Sequence, residues 1–372
     1  MKMKKILALS VAAAMCVGLV GLTACNSSSS EKEEEEKLEE EPANSVEEAE
    51  EAVEEVNEGT SESSSSSDTA STTSTTSDGK YTIGICQSME HPALDAATEG
   101  FEDALTEEFG DDVTFDEQNA QGDSATCATI VNSFVSSDVD LILANATASL
   151  QAAAASTDTI PILGTSITDY GAALDIDFSG VVGGNISGTS DLAPLDEQAE
   201  MLQELFPEAE KVGLLFCSAE ANSTYQIENI EADLEDMGYA CTEYGFADSN
   251  DLASVCQTAS SESDVIYIPT DNTAASNTEL INNICLPDKT PIICGEEGIC
   301  AGCGVATLSI SYYDLGYTTG QMAAKILKGE EDISDMAVEY APEVTKEYNE
   351  EICEELGIDI PNGYTAIEEE EE

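Results

Sequence analysis

The chain has 372 residues, 77 acidic side chains and 11 basic ones, all lysine, for a formal net charge of −66. Such a composition excludes nucleic acid as a partner, because phosphate binding runs on clustered Lys and Arg, and it disfavours adhesion of a folded body to anionic lipid. A hydrophobic share of 41% allows a real core in one or two domains, while the absence of Trp and a lone His91 leave little for a catalytic triad or a His-rich metal site.

Met1 to Lys5 is basic, and Ile6 to Val20 is an apolar run too short for a comfortable membrane span. The run ends in Leu22-Thr23-Ala24-Cys25, small residues before a Cys, which is a bacterial lipobox. Residues 1–24 therefore read as a signal peptide and Cys25 as a lipidated mature N-terminus; the alternative is an ordinary signal peptide with a chance Cys. Two acyl chains anchor stably, each buried methylene contributing roughly 0.8 kcal/mol. Residues 25–79 then form a tether, Glu-rich from Glu31 to Glu58 and almost all Ser and Thr from Ser61 to Ser77, too polar to order itself. Residues 368–372 are five Glu, a solvated tail.

Between them, strands and helices alternate. Tyr81–Cys86 reads as a buried strand and Ala93–Phe109 as a helix with Pro92 in its first turn. Strands follow at Val113–Asp116, Leu141–Ala144 and Ile160–Leu163, with helices at Ser124–Ser136 and Ala148–Ser156. A Gly-rich stretch, Gly180 to Gly188, carries a strand at Asn185–Thr189, and the alternation restarts. Helices are expected at Leu195–Phe206, Asn222–Met237, Leu252–Ser260, Thr273–Ile284 and Tyr312–Lys328. Strands are expected at Lys211–Phe216, Ala240–Phe246, Val265–Ile268, Ile292–Cys294 and Ala306–Ile310.

Two such runs predict an α/β protein of two doubly wound, Rossmann-like lobes joined by a hinge. We expect residues 80–191 with about 298–330 in the N-terminal lobe, and 192–297 with about 331–367 in the C-terminal lobe. Open parallel sheets bind ligands at the carboxyl ends of their strands, and two facing lobes put those ends across a cleft that closes by a hinge. The loops there are Gln87–Pro92, Asn145–Thr147, Thr165–Asp169, Cys217–Asn222, Pro269–Asn272 and Gly295–Glu297. Each gathers hydroxyls, amides or carboxylates; any one alone is equally a helix N-cap, whereas six at equivalent strand ends point to a site.

The stretches QSMEHPALDAATEGF, QNAQGDSAT, VDLILANATASLQAAA, IPILGTSITD, GGNISGTSDLAP, KVGLLFCSAEANS, IYIPTDNT and ATLSISYYDLGYTTGQMAAKILKGE resemble the ABC transporter substrate-binding lipoprotein family whose characterised members take up tryptophan or related aromatic amino acids. The likeness runs from about residue 80 to 345. It implies a type I periplasmic-binding-protein fold, no catalysis, no cofactor, a monomer outside the cytoplasm held to the membrane by lipid, and a permease plus ATPase as partners. Carried over by position, the cleft residues would be Ser88, Glu90 and His91, then Thr147, then Ser166 and Asp169. The second lobe would supply Ser218, Asn222, Thr270, Asp271, Asn272 and Glu296. The ANATAS stretch and Tyr170-Gly171 depart from the family's usual residues.

An α-amino acid offers a carboxylate and an ammonium. Without arginine, no guanidinium fork can take the carboxylate, so helix N-termini and the hydroxyls of Ser88, Thr147 and Ser166 are the candidates. Asp271 or Glu296 is the expected anion for the ammonium, with Asp169 in reserve. Tyr170 and Phe216 are candidate pocket walls, Phe216 being equally a core residue, and His91 either touches ligand or sits as a turn residue before Pro92. The alternatives are a sugar or nucleoside binder, poorly provided for without Trp and Arg, and a ligand-loaded sensor subunit. An enzyme would need a positioned nucleophile and base, and none is readable. Cys294, Cys300 and Cys303 hold one CxxC with no second pair or nearby His; they read as small buried hydrophobes rather than a metal site.

Overall fold

The computed structural model describes residues 80–341 and 344–367. The signal peptide, Cys25, the tether and the Glu tail lie outside the described residues. None of the described helices is long and apolar enough to cross a membrane.

The chain begins with β1 (Tyr81–Gln87), α1 (Pro92–Phe109), β2 (Val113–Asn119), α2 (Ser124–Ser137), β3 (Leu141–Asn145), α3 (Thr147–Ser156), β4 (Ile162–Ile167), α4 (Tyr170–Leu174) and β5 (Ile186–Ser190). It continues with α5 (Leu195–Leu205), β6 (Lys211–Cys217), α6 (Ala221–Met237), β7 (Ala240–Phe246), α7 (Ser249–Glu262) and β8 (Val265–Ile268). Then come α8 (Asn272–Ala275), α9 (Thr278–Asp288), β9 (Ile292–Cys294), α10 (Glu297–Cys303) and β10 (Ala306–Ser309). The last stretch holds α11 (Tyr312–Leu327), β11 (Glu339–Tyr340), β12 (Thr345–Tyr348), α12 (Glu350–Leu356) and β13 (Thr365–Ala366).

Two sheets result. The first runs β11-β5-β4-β3-β1-β2 and the second β13-β12-β10-β9-β8-β6-β7. Each begins at an inner strand, adds the next at one edge, then returns to the other side. The direction of winding therefore reverses between β1 and β3 in one lobe and between β6 and β8 in the other. Such reversals leave a crevice at the carboxyl ends of the strands. The strands are nearly continuous apolar runs because helices cover both faces: β3 and β8 are buried at every position.

Lobe membership differs in two places from the sequence expectation. Residues 331–340 were expected in the C-terminal lobe, yet Ile333 and Met336 pack in the core of the first lobe and β11 pairs with β5. Residues 298–309 were expected in the N-terminal lobe, yet β10 pairs in parallel with β9, and α10 packs against it, so this stretch belongs to the second lobe. Only α11 and β11 return to the first. Helix α11 lies on α1 with almost no side chain between them: a Cβ on Gly100 would overlap the Tyr313 carbonyl, and one on Gly316 the Ala97 carbonyl. Strand β11 adds to β5, while β12 pairs antiparallel with β10. The chain passes between lobes at residues 191–194, at Ile310–Ser311 and between β11 and β12.

The helix expected over Thr273–Ile284 is two helices. Asn277 breaks out of helical geometry between them (φ −133, ψ 24) and its side chain binds the Thr273 carbonyl at 2.7 Å.

Candidate ligand-binding cleft

A cavity of about 630 Å³ lies between the lobes, at the two crevices. Ser88, Glu90, Gln121 and Ser124 line it after β1 and β2, and Thr147, Ala148 and Gln151 after β3. From the second lobe come Glu220, Ala221 and Asn222 after β6, Asp248 after β7, and Asn272 and Thr273 after β8. Of the residues chosen from sequence, the structure thus brings together Ser88, Glu90, Thr147, Asn222 and Asn272 around one space.

Two helices start at this space without a side-chain cap. Ala146 precedes α3 at positive φ (φ 77, ψ 161) and offers no capping oxygen; Glu220 precedes α6 and binds elsewhere. Their first N–H groups are therefore open, and helix N-termini favour anions. Thr147, 5% exposed, is the first residue of α3 and lines the cavity, and its hydroxyl has no partner among the described residues. Ser166, at the end of β4, is also at positive φ (φ 57) and buried, and its hydroxyl is unpartnered. Non-glycine residues in this conformation cost of order 1–3 kcal/mol and gather at functional sites.

Residues not singled out from the sequence hold these loops in place. The Gln87 amide donates to the Met89 carbonyl at 2.8 Å and to Asp95 at 2.6 Å, and accepts from Thr98 at 2.7 Å. Asn145 donates to Thr98 and to the Leu94 carbonyl. In the second lobe, Glu220 accepts from the Asn272 N–H and side-chain amide (3.0 and 2.7 Å) and from the Thr273 N–H and hydroxyl (2.9 and 2.7 Å). A Glu just before a helix reads as an ordinary helix start, and its partners are 52 residues away, so no local signal marks it.

That network fixes the proton on His91. Glu220 only accepts, so the Asn272 amide nitrogen must face it, and Asn272 Oδ1 must face the His91 ring, 3.2 Å from Nε2. Burial lowers the His91 pKa and keeps the ring neutral. His91 therefore donates from Nε2 and leaves Nδ1 a buried, unpartnered acceptor. His91 belongs to the first lobe and Asn272 to the second, so this bond spans the cleft, as does the Ser276 hydroxyl on the Glu90 carbonyl at 3.4 Å.

The remaining choices sit elsewhere. Asp271, 1% exposed, accepts from the Cys217 N–H at 2.6 Å and the Ala274 N–H at 2.8 Å. It braces β6 against α8, so the expectation of an ammonium partner here meets a carboxylate already engaged on both oxygens. Burial and the nearby Glu220 push its pKa up to about 8. Glu296, 2% exposed, caps α10 through the Gly298 and Ile299 N–H groups, with burial raising it to about 7. Asp169 caps α4 through the Ala172 N–H. The Ser218 hydroxyl turns to the Phe246 carbonyl, and Thr270 is held by Gln226 and reaches the Gly295 carbonyl at 3.4 Å.

Neither aromatic candidate walls the cavity. Tyr170 is fully buried, its hydroxyl on the Gly164 and Thr189 carbonyls, and Phe216 packs in the second-lobe core. The apolar lining is Met89, Cys217 and the small side chains of Ala148, Ala219, Ala221 and Ala247. The ten cysteines of the described residues are free thiols. Cys300 and Cys303 lie on α10 and pack with Cys294 in the core; among the described residues no group of His, Cys, Asp and Glu is arranged to hold a metal.

The family model described as ABC transporter substrate binding protein matches residues 82–369. The chain belongs to that family. It is a family of extracytoplasmic solute-binding proteins that work with ABC permeases rather than one of enzymes, and the two-lobed fold is that of type I periplasmic binding proteins. The binding protein is 35% identical over 277 residues to a tyrosine-binding protein of Clostridioides difficile (strain R20291), covering 74% of this chain and 80% of the relative. Among solved structures it is similar to an ABC domain in complex with L-Trp from Streptococcus pneumoniae, at 32% identity and a TM-score of 0.74, covering 77% of this chain and all of that one. It is also similar to the ligand-free, open structure of a substrate-binding protein with adhesive properties from Clostridium difficile. There the identity is 36% and the TM-score 0.61, over 77% of this chain and 99% of that one. Identity is higher to the open relative, yet the likeness in shape is greater to the L-Trp complex.

Proposed function

We propose that this chain is the lipid-anchored binding subunit of an ABC importer for an aromatic amino acid, tyrosine or tryptophan. One observation carries the reading: the uncapped start of α3, with the unpartnered Thr147 hydroxyl, opens into an interlobe cavity roomy enough for such a ligand. In a chain without arginine this is the natural place for an α-carboxylate. The ligands named for two relatives above 30% identity support the aromatic class, and the Leu22–Cys25 lipobox and acidic tether support a lipid anchor. Ser88 and Asn222 add polar groups to the same lining.

The test is a thermal-shift screen of the full-length chain against the twenty amino acids, common sugars and nucleosides, followed by calorimetry. A ligand that binds only the folded state raises the midpoint by mass action. Shifts confined to Tyr, Trp and Phe support the reading; a shift only with a sugar or nucleoside refutes it.

A further inference from the structure

Asp191 follows β5 at the point where the chain first leaves the N-terminal lobe. It is 4% exposed. One carboxylate oxygen accepts from the Tyr312 hydroxyl at 3.0 Å; the other is buried with no partner. Glu296 approaches from the end of β9 in the second lobe, close enough for the Asp191 charge to disfavour its own. No buried cation answers these two acids: the chain has no arginine, and every described lysine is at least partly exposed. A buried carboxylate without a counter-charge is costly. Burial pushes Asp191 up to about 6 and Glu296 to about 7, the response expected of acids that lack a cation.

A second observation lies on the neighbouring strand. β4 pairs with β5, about 4.8 Å away, and ends at Ser166, whose hydroxyl is also buried and unpartnered. Two adjacent strand ends thus present a free acceptor and a free hydroxyl donor, the complement of an ammonium beside a carboxylate. β3, with Thr147 after it, is the next strand over.

We propose that Asp191 takes the ammonium group of the bound α-amino acid by direct contact, with the Glu296 carboxylate adding its charge from across the cleft. The inference rests on the reading of the chain as an amino-acid binder. It places the ligand's ammonium toward the hinge, over β5, its carboxylate between Ser166 and Thr147 over β4 and β3, and its side chain toward the roomier cavity beyond β3. It also replaces Asp271, whose oxygens serve the backbone, as the ammonium's partner.

The experiment compares L-tyrosine and L-tryptophan with 3-(4-hydroxyphenyl)propionate and indole-3-propionate, which lack only the amine. Calorimetry is run on the full-length chain and on Asp191→Asn. We expect the wild type to prefer the amine-bearing ligands by at least about 100-fold. In Asp191→Asn that preference should fall below about 10-fold, through loss of the amino acids and not of the analogues. An unchanged preference, or equal loss of all four ligands, overturns the proposal. Should Asp191→Asn fail to fold, wild-type titration at pH 6 in two buffers of different ionisation enthalpy decides. Amino-acid binding should then release protons and analogue binding should not; equal release overturns the proposal. A wild type that binds none of the four refutes the amino-acid reading itself, a different failure from one confined to Asp191.

Discussion

Replacing Thr147 by Val tests the carboxylate subsite with little disturbance to the fold. The two side chains share a shape, and the Thr147 hydroxyl bonds to nothing among the described residues. No internal partner is orphaned, and the helix start at Ala146 is untouched. Stability should change by less than about 0.5 kcal/mol. A hydrogen bond to a charged group is worth about 1.5–3 kcal/mol, and a factor of ten corresponds to about 1.4 kcal/mol. The affinity for L-tyrosine should therefore fall by roughly 10- to 150-fold. The control is tyramine, which lacks the carboxylate and should bind wild type and Thr147→Val equally, if weakly. Calorimetry with both ligands, beside thermal melts of the free proteins, gives the answer. Wild-type affinity for L-tyrosine in the variant would refute the argument, and so would equal losses for tyramine and tyrosine.

Asn272→Ala removes the bridge between Glu220 and His91. Closure should weaken by about 1–2 kcal/mol, seen in stopped flow as a 5- to 30-fold faster dissociation with little change in association. A slower association at constant dissociation would count against a latch. Gly316→Ala forces a methyl against the Ala97 carbonyl on α1, and backbone cannot yield as a side chain can; we expect a loss of about 3 kcal/mol in denaturant unfolding, and a neutral result would contradict the close packing. The ligand-free protein should lose stability as pH rises. Asp191, Glu296 and Asp271 are raised to about 6, 7 and 8, so between the unfolded carboxylate range near 4 and these values the native state holds protons that the unfolded chain has released. Their contribution is full below about pH 4 and is lost on the way to about pH 8. Melting points from pH 4.5 to 8 should fall, and fall less in Asp271→Asn; a flat profile in the wild type would contradict the buried acids.

The sequence carried the architecture well because the alternation is local. Strands such as Tyr81–Gln87 and Val265–Ile268 announce themselves as short apolar runs bounded by polar turns. It was poorer wherever membership depends on distant pairing. Nothing local says that Ala306–Ser309 joins β9 while the very next helix returns to α1. Cleft residues at helix starts, Thr147 and Asn222 among them, were readable as loop hydroxyls and amides. The supports were not. Asp191 looks like a turn residue before Pro194, and Glu220 like a helix start, until tertiary structure supplies Tyr312 to one and Asn272 to the other. Tyr170 misled for the opposite reason: its hydroxyl finds two carbonyls inside the lobe, so an aromatic beside the cleft is spent on the core.

The embrace of α1 by α11 has a consequence for how the chain is born. Tyr81 binds the Leu327 carbonyl across 246 positions, and Tyr313 binds Asp103 across 210. The first lobe therefore has no finished surface until nearly the whole chain has been made, and the second waits for β12 and β13 behind it. Contacts that distant form slowly, since the loops must close before they are rewarded. In this molecule the order of the segments sets the order of folding, because the last part made is the part that lets the first part fold.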